Sequence, residues 1–139
     1  MSAGASEPSK GDDPLGPQPR AQERTGAREP SDPEDRKIIT LARSARARTG
    51  AAQGACVRDT DGRTYAGAGV SLPHLQLSAL QVTVAMAVSS GAPGLEAAAL
   101  VADTDPSPDD LAVLGDLPGT GVAVWRADGS GTVQSVVTL

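Results

Sequence analysis

Residues 76–102 read QLSALQVTVAMAVSSGAPGLEAAALVA, and they contain the two elements that decide the fold class. The first part, residues 76–90, is apolar on nearly every face of a helical projection, which is typical of a buried helix. Gly91 and the Pro93-Gly94 pair end that helix. Residues 97–102 then form a near-continuous apolar run, the pattern of a central strand covered on both faces. A buried helix followed by such a strand predicts a layered α/β domain.

The residues before this segment predict a helix and a hairpin. Asp32 is a suitable N-cap for a helix that begins at Pro33. The helix has one apolar face, formed by Ile38, Leu41, Ala42 and Ala45. Two extended runs, residues 55–58 and 64–70, flank Asp61-Gly62, and this arrangement is a strong hairpin signal.

The residues after the segment predict one short helix and two further strands. The helix opens at Pro108, and the strands, 122–126 and 132–137, are joined by a turn at Asp128-Gly129. The complete order is α-β-β-α-β-α-β-β. It predicts a three-layer α/β/α domain with a mixed sheet of about five strands.

The first 32 residues differ in composition from the rest. They are dominated by Pro, Gly, Ser, Glu, Arg and Asp, and Leu15 is the only large apolar residue after Met1. Such a segment buries too little surface to offset its ordering entropy, so we predict a disordered tail over 1–32 and a domain over 33–139. Neither a secretory signal nor a transmembrane span is recognisable, and we expect a cytoplasmic protein.

Charge and cysteine content exclude several classes of function. The formal net charge is −5, with no Phe, one Trp and one Tyr, which argues against nucleic-acid binding. Nothing in the sequence indicates membrane binding either. Cys56 is the only cysteine, so an intrachain disulfide and a cysteine-based zinc site are both excluded. Ala, Val and Leu must supply the core, so we expect modest monomer stability and a benefit from subunit association.

Several landmarks occur in an order that resembles a known family. They are the LARSAR end of the first helix (41–46), GACVRDTDGRTYAG (54–67), the alanine-rich helix ending at Gly91, the strand at 97–104, and Ser107-Pro108. Over about residues 33–129 this series is similar to the cytidine deaminase family, particularly to small deaminase-like proteins of high-GC actinobacteria. The resemblance implies a cytidine deaminase-like α/β fold.

The resemblance also implies where a metal would be held. Family members bind Zn²⁺ at two helix N-termini through one His or Cys and a Pro-Cys-x-x-Cys pair, and a Glu two residues after the first ligand transfers protons. In this chain Ser78 falls on the first ligand and Leu80 on the Glu. After Pro108, Asp109 and Ala112 fall on the paired cysteines. Because serine is a poor zinc ligand and alanine is none, we expect no metal, no cofactor and no catalytic residue at these degenerate positions.

The substrate-binding side is equally altered. The family reads its nucleoside partly through an Asn-Val-Glu segment, and residues 69–71 here are Gly-Val-Ser. A remnant of the pocket would comprise Gly69, Ser71, Ser78, Gln81 and Asp109. We interpret His74 as a surface residue rather than a metal ligand. The same interpretation applies to the acidic residues Asp103, Asp105, Asp109 and Asp110.

Three functions remain open from the sequence. The favoured hypothesis is a non-catalytic deaminase-fold protein, a pseudoenzyme, that self-assembles or binds an unknown protein partner. The second is a zinc-dependent deaminase of cytidine or deoxycytidine, as the resemblance implies. The third is a sensor that binds a small nucleoside-like ligand in the vacated pocket. We expect a homo-oligomer, a dimer or a tetramer, that forms through residues 76–90 with Met86 or Val84 near the contact.

Overall fold

The computed structural model describes residues 24–25 and 29–139 of the chain. Its elements are β1 (Arg24–Thr25), α1 (Pro33–Thr49), β2 (Gly54–Asp59), β3 (Thr64–Ala68), β4 (Val70–Leu72), β5 (Leu75–Leu77), α2 (Ala79–Ser89), β6 (Leu95–Val101), α3 (Pro108–Leu114), β7 (Ala123–Ala127) and β8 (Val133–Thr138). The main sheet has the order β1-β8-β7-β6-β2-β3, and β4 pairs with β5 in a separate hairpin. Among the strands described, β6 and β7 are the one parallel pair. The predicted mixed α/β sheet is confirmed.

Helices cover the main sheet on both faces. On one face α1 packs over a cluster formed by Ile38, Ile39, Ala42, Cys56, Ala97, Ala99, Val101, Ala127 and Val133. On the other face the largest cluster includes Ala55, Val57, Ala79, Leu80, Val84, Ala98, Leu100, Ala102 and Leu114, which come from α2, α3 and the strands beneath them. Successive residues of β6 therefore point alternately into the two clusters. The prediction that this strand is central and buried on both faces is confirmed.

Small residues allow α1 to lie very close to the sheet. A Cβ atom added to Gly54 at the start of β2 would collide with the backbone oxygen of Ala42, and it would lie 2.7 Å from the backbone nitrogen of Arg46. Glycine is required here because the backbone of the helix occupies the space of a side chain. The core thus gains contact by close approach rather than by large side chains.

The predicted start of α1 is confirmed by its cap. The Asp32 carboxylate accepts a hydrogen bond from the Glu34 amide at 2.8 Å, and Pro33 is the first helical residue. The helix ends at Gly50, whose positive φ of 67° lets its amide reach the Arg46 carbonyl. The helix begins where the sequence places it and runs three residues beyond the predicted end at Arg46.

One segment differs from its predicted structure. Residues 70–77 form the short β4–β5 hairpin, with Pro73 and His74 at its turn, whereas the sequence favoured a strand through Val70 and a helix from Gln76. The helix α2 begins only at Ala79, because Ser78 caps it. Over the described residues, every helix is too short or too polar to cross a bilayer.

Part of the segment predicted to be disordered contacts the domain. Arg24 and Thr25 pair with Val136 and Ser135 of β8. The Glu29 carboxylate accepts a hydrogen bond from the Val133 amide at 3.0 Å. The boundary predicted at residue 33 therefore leaves out residues that satisfy backbone groups at the edge of β8. The rest of the predicted tail, residues 1–23 and 26–28, lies outside the described residues.

A polar network links α1 to three strands. The Arg58 guanidinium forms an ion pair with the Asp35 carboxylate at 2.9 Å, and it donates from Nε to Glu96 at 2.9 Å. Trp125 Nε1 donates to the other oxygen of Asp35 at 3.2 Å. Because Arg58 is largely buried, its charge needs these two carboxylates.

The turn between β2 and β3 is built around a buried carboxylate. Asp59 Oδ1 accepts hydrogen bonds from the amides of Asp61 and Arg63, and Oδ2 accepts from the Tyr65 hydroxyl at 2.8 Å. Burial tends to raise the pKa of Asp59. The hydrogen bonds from Tyr65 and the two amides outweigh that tendency and lower the pKa below its ordinary value.

We predict that Asp59→Asn lowers the stability of the fold and makes that stability depend less on pH in acid. Because the pKa of Asp59 is lower in the folded chain, its stabilisation is complete above the unfolded pKa of about 4 and is lost as the pH falls through the folded pKa. The variant should lower the urea midpoint by about 1 M at neutral pH and flatten the decline in acid. Trp125 fluorescence reports the transition. Asp61→Asn, at an exposed neighbour, is the control, and identical pH profiles for Asp59→Asn and the wild type would contradict the prediction.

Candidate functional site

A side-chain hydrogen bond joins the N-termini of α2 and α3. Ser78, the N-cap of α2, donates a hydrogen bond from Oγ to Asp110 Oδ1 at 2.6 Å. Asp110 lies in the first turn of α3, and only 3% of its surface is exposed. The distance is in the range for a hydroxyl that donates to an ionised carboxylate. This pair occupies the place where the resemblance puts a metal site.

Local sequence fixes the two partners. Ser78 and Gln81 form a capping box, in which Ser78 Oγ accepts from the Gln81 amide and Gln81 Oε1 accepts from the Ser78 amide. Ser107 caps α3 and accepts from the Asp110 amide at 3.1 Å. The Asp110 amide is thus bonded within its own helix end, and the Asp110 carboxylate is bonded to Ser78.

A glutamine from the start of the sheet joins the same cluster. Gln53 Oε1 accepts a hydrogen bond from the Ala79 amide at 3.3 Å, and the Gln53 carbonyl accepts from the Gly69 amide at 3.2 Å. In the first turn of α2, the amides of Ala79 and Gln81 are thus bonded to Gln53 and Ser78 rather than directed at an open site. The polar groups of this region are largely used by one another.

Leu80 lies where the resemblance puts the catalytic glutamate. Its side chain has no exposed surface, and it belongs to the cluster that contains Val57, Val84 and Leu100. The position is therefore part of the hydrophobic core. It offers no acid or base, and a carboxylate placed there would be buried among apolar groups.

The structure brings together only some of the residues assigned to the site. Ser78 and Gln81 lie at the start of α2, and Gly69, which precedes β4, lies beside them. All three are half-buried. Ser71 is exposed on β4, and Asp109 and Ala112 are exposed on α3. Of the positions assigned to metal ligands, only Ser78 takes part in the hydrogen bond between α2 and α3.

The interpretation of Asp110 as a surface residue is wrong, because Asp110 is buried and belongs to the candidate site. Counting from the family proline directed attention to Asp109, which is its neighbour. A signal was nevertheless present, since Ser107 and Asp110 are spaced as an N-cap and the third helical residue. That spacing places the Asp110 amide beside the Ser107 hydroxyl and so marks Asp110 as the third residue of the helix.

The donors at this position do not fit zinc. The cluster supplies one carboxylate, one hydroxyl that donates its proton, and two amide oxygens, whereas zinc sites use thiolate, imidazole or several carboxylates. No group of three His, Cys, Asp or Glu residues suited to a metal occurs in residues 29–139. His74 is exposed at the hairpin turn between β4 and β5.

Two other groups that could carry chemistry are committed elsewhere. Cys56 lies under α1, on the opposite face of the sheet from the site, and burial raises the pKa of its thiol to about 12. The Asp105 carboxylate accepts from the Ser135 hydroxyl at 2.8 Å and from Arg126 Nε at 3.0 Å. These bonds, with Ser135 first, hold the pKa of Asp105 below its ordinary value against the effect of burial. Both groups act in structure.

Comparisons with known proteins agree with the fold and with the resemblance. The sequence profile of the family described as "Cytidine deaminase-like" matches residues 31–131. No curated protein matches the chain significantly in sequence. Cytidine deaminase from Burkholderia pseudomallei is similar in structure, with a TM-score of 0.64 at 21% identity over 73% of this chain and 90% of that one.

Two mycobacterial structures are similar as well. Cytidine deaminase from Mycobacterium tuberculosis gives a TM-score of 0.55 at 26% identity, over 63% of this chain and 80% of that one. The Mycobacterium leprae protein gives 0.57 at 20% identity, over 71% and 90%. Because the family profile spans most of the described residues and the fold is shared, the chain belongs to the cytidine deaminase-like family.

Proposed function

We propose that this protein is a non-catalytic member of its family and acts by assembling with itself. The observation that carries the proposal is the pairing of Ser78 with Asp110 at the place of the metal, next to a fully buried Leu80. In the family chemistry, a metal lowers the pKa of the attacking water and a carboxylate transfers its proton. Neither function has suitable residues here.

The remaining polar residues do not offer a substitute mechanism. The Ser78 hydroxyl donates to Asp110, a carboxylate, and has no imidazole beside it to act as a base, since His74 is on the exposed hairpin turn. Gln81 and Gln53 are bonded to the first turn of α2. The same bonds weigh against a ligand sensor, because a ligand would have to displace them.

A single unpaired Cys56 suits a reducing compartment, and we place the protein in the cytoplasm.

The proposed assembly uses a long segment without charge. Residues 64–95 contain no Asp, Glu, Lys or Arg, and we call them the neutral segment. Among the described residues, four of the five exposed large hydrophobic side chains lie on it. They are Leu72 at 55%, Leu75 at 48%, Met86 at 39% and Val88 at 56% exposure. Exposed apolar side chains concentrated in this way indicate an interaction surface.

A second copy of the chain suits this segment better than a charged partner does. The formal net charge is −5, and every Asp, Glu, Lys and Arg lies outside the neutral segment. Two acidic copies repel each other at most orientations. Contact through their neutral segments removes apolar surface from water without placing like charges together. Dimer and tetramer are both compatible with this argument.

The structure corrects one residue of the predicted contact. Val84 has only 6% of its surface exposed and packs in the core with Leu80, so it belongs to the monomer interior. Met86 is exposed at 39% and stays a candidate for the contact. The two residues are two positions apart on α2, and a helix turns such neighbours to different sides.

The first test of the proposal is metal content and activity. We expect purified protein to contain far less than one zinc per chain and to release no ammonia from cytidine or deoxycytidine, because the donors at Ser78 and Asp110 do not suit zinc. Elemental analysis and an ammonia assay measure this, with the Burkholderia pseudomallei deaminase as the positive control. Stoichiometric zinc together with ammonia release would overturn the proposal in favour of a true deaminase.

A second test asks whether Leu80 fills the core or lines a cavity. Leu80→Glu should lower the free energy of unfolding by at least about 3 kcal/mol, because it buries a carboxylate among apolar groups. Ala112 also occupies a position that the resemblance assigns to the site, but it is exposed. Ala112→Glu should therefore lower the free energy of unfolding by less than about 1 kcal/mol. Chemical denaturation gives both values. A stable Leu80→Glu variant would mean that the position opens onto solvent.

A third test concerns assembly. Met86→Glu and Leu75→Glu should each weaken self-association by at least about tenfold, because each places a carboxylate in an apolar contact. Ala47→Glu adds the same charge at an exposed position of α1 and should leave assembly unchanged. Sedimentation equilibrium at micromolar concentration measures the association. A wild-type monomer of 13.9 kDa would refute self-assembly.

A further inference from the structure

We infer that the Ser78–Asp110 hydrogen bond replaces a metal as the tie between α2 and α3, and that it anchors the β4–β5 hairpin. The pair joins residues 32 positions apart in sequence, at 2.6 Å, across the two helix ends that the family holds together through zinc. The donors present do not fit zinc, yet the helices still meet at this place. The position has therefore kept its structural function through another chemistry.

Electrostatics favours a carboxylate as the replacement. The aligned peptide dipoles of α2 and α3 place partial positive charge at the N-termini of both helices. The two first turns contain Asp109 and Asp110 on α3 and no acidic residue on α2. Only Asp110 is buried between the helices, since Asp109 is exposed. The buried carboxylate of Asp110 therefore places negative charge beside the positive N-termini of both helices, and no metal cation is needed at that place.

Ser78, one partner of the tie, belongs to a cluster of hydrogen bonds that holds the start and the end of the hairpin. Ser78 follows directly after β5, and its amide donates to Gln81 Oε1. Gly69 directly precedes β4, and its amide donates to the Gln53 carbonyl, while the Gln53 side chain accepts from Ala79. Both strands of the hairpin therefore leave from one hydrogen-bonded cluster. A hairpin of two three-residue strands has little stability of its own, so this anchoring sets its position.

The anchored hairpin presents two side chains of the neutral segment. Leu72 ends β4 and Leu75 begins β5, and both are about half exposed. If the proposed self-assembly holds, the tie sets the position of part of the contact surface. The inference about the tie itself does not need that assembly, because it concerns contacts within one chain.

The tie is tested by a double-mutant cycle in thermal denaturation. Asp110→Ala should lower the melting temperature by about 5–15 °C, because it removes a charge-assisted bond and strands the Ser78 hydroxyl. The matched control Asp109→Ala, one residue away and exposed, should change it by less than about 2 °C. Ser78→Ala also loses a helix cap, so the double variant should fall by clearly less than the sum of the single changes. Equal effects of Asp109→Ala and Asp110→Ala, or strict additivity, would overturn the inference.

Two further measurements separate the tie from general stability and from metal binding. The variant Asp110→Asn keeps the size of the residue and serves if Asp110→Ala fails to fold. Its backbone amides should exchange hydrogen at least about tenfold faster than the wild type in residues 70–77, but not in β6. Equal acceleration in both would refute the anchoring. A chelator or added zinc should shift the wild-type melting temperature by less than about 2 °C, and stabilisation by zinc would refute the replacement. Sedimentation results bear on the assembly alone, so the two proposals fail separately.

Discussion

The structure depends on a central strand with three consecutive alanines that has to be covered on both faces. Ala97, Ala98 and Ala99 of β6 offer little area each, so helices must approach the sheet closely to bury enough surface. Gly54 permits that approach under α1. On the other face, Ala79 and Ala87 let α2 lie low over the sheet. The same closeness brings the N-terminus of α2 within hydrogen-bonding distance of α3.

The overall fold was predictable because its main signals are local. The cap at Asp32, the hairpin turn at Asp61-Gly62 and the apolar run in β6 each specify one element without reference to the others. The β4–β5 hairpin was not predictable in this way. Its strands have three residues each, too few for a period to show, and they depend on the hydrogen bonds of Gly69 and Ser78 with distant partners.

The site was predictable in what it lacks and less so in what it contains. The residue types at Ser78 and Leu80 alone indicate that the zinc ligand and the catalytic glutamate of the family are replaced in this chain. The contact between Ser78 and Asp110 depends on which face of α3 turns inward. Adjacent residues of a helix differ by about 100°, so a correct count from Pro108 still indicates the exposed Asp109. Burial and rotation, which decide between the two aspartates, belong to tertiary structure.

The short strand β1 has a consequence for how far an assembly can grow. A sheet with two open edges can add copies without end, because one edge of each molecule pairs with the opposite edge of the next. Here Arg24–Thr25 occupies part of the outer edge of β8, and Glu29 takes up the Val133 amide on the same strand. Growth of a continuous sheet from molecule to molecule at this edge would first have to displace the β1 pairing and the Glu29 bond.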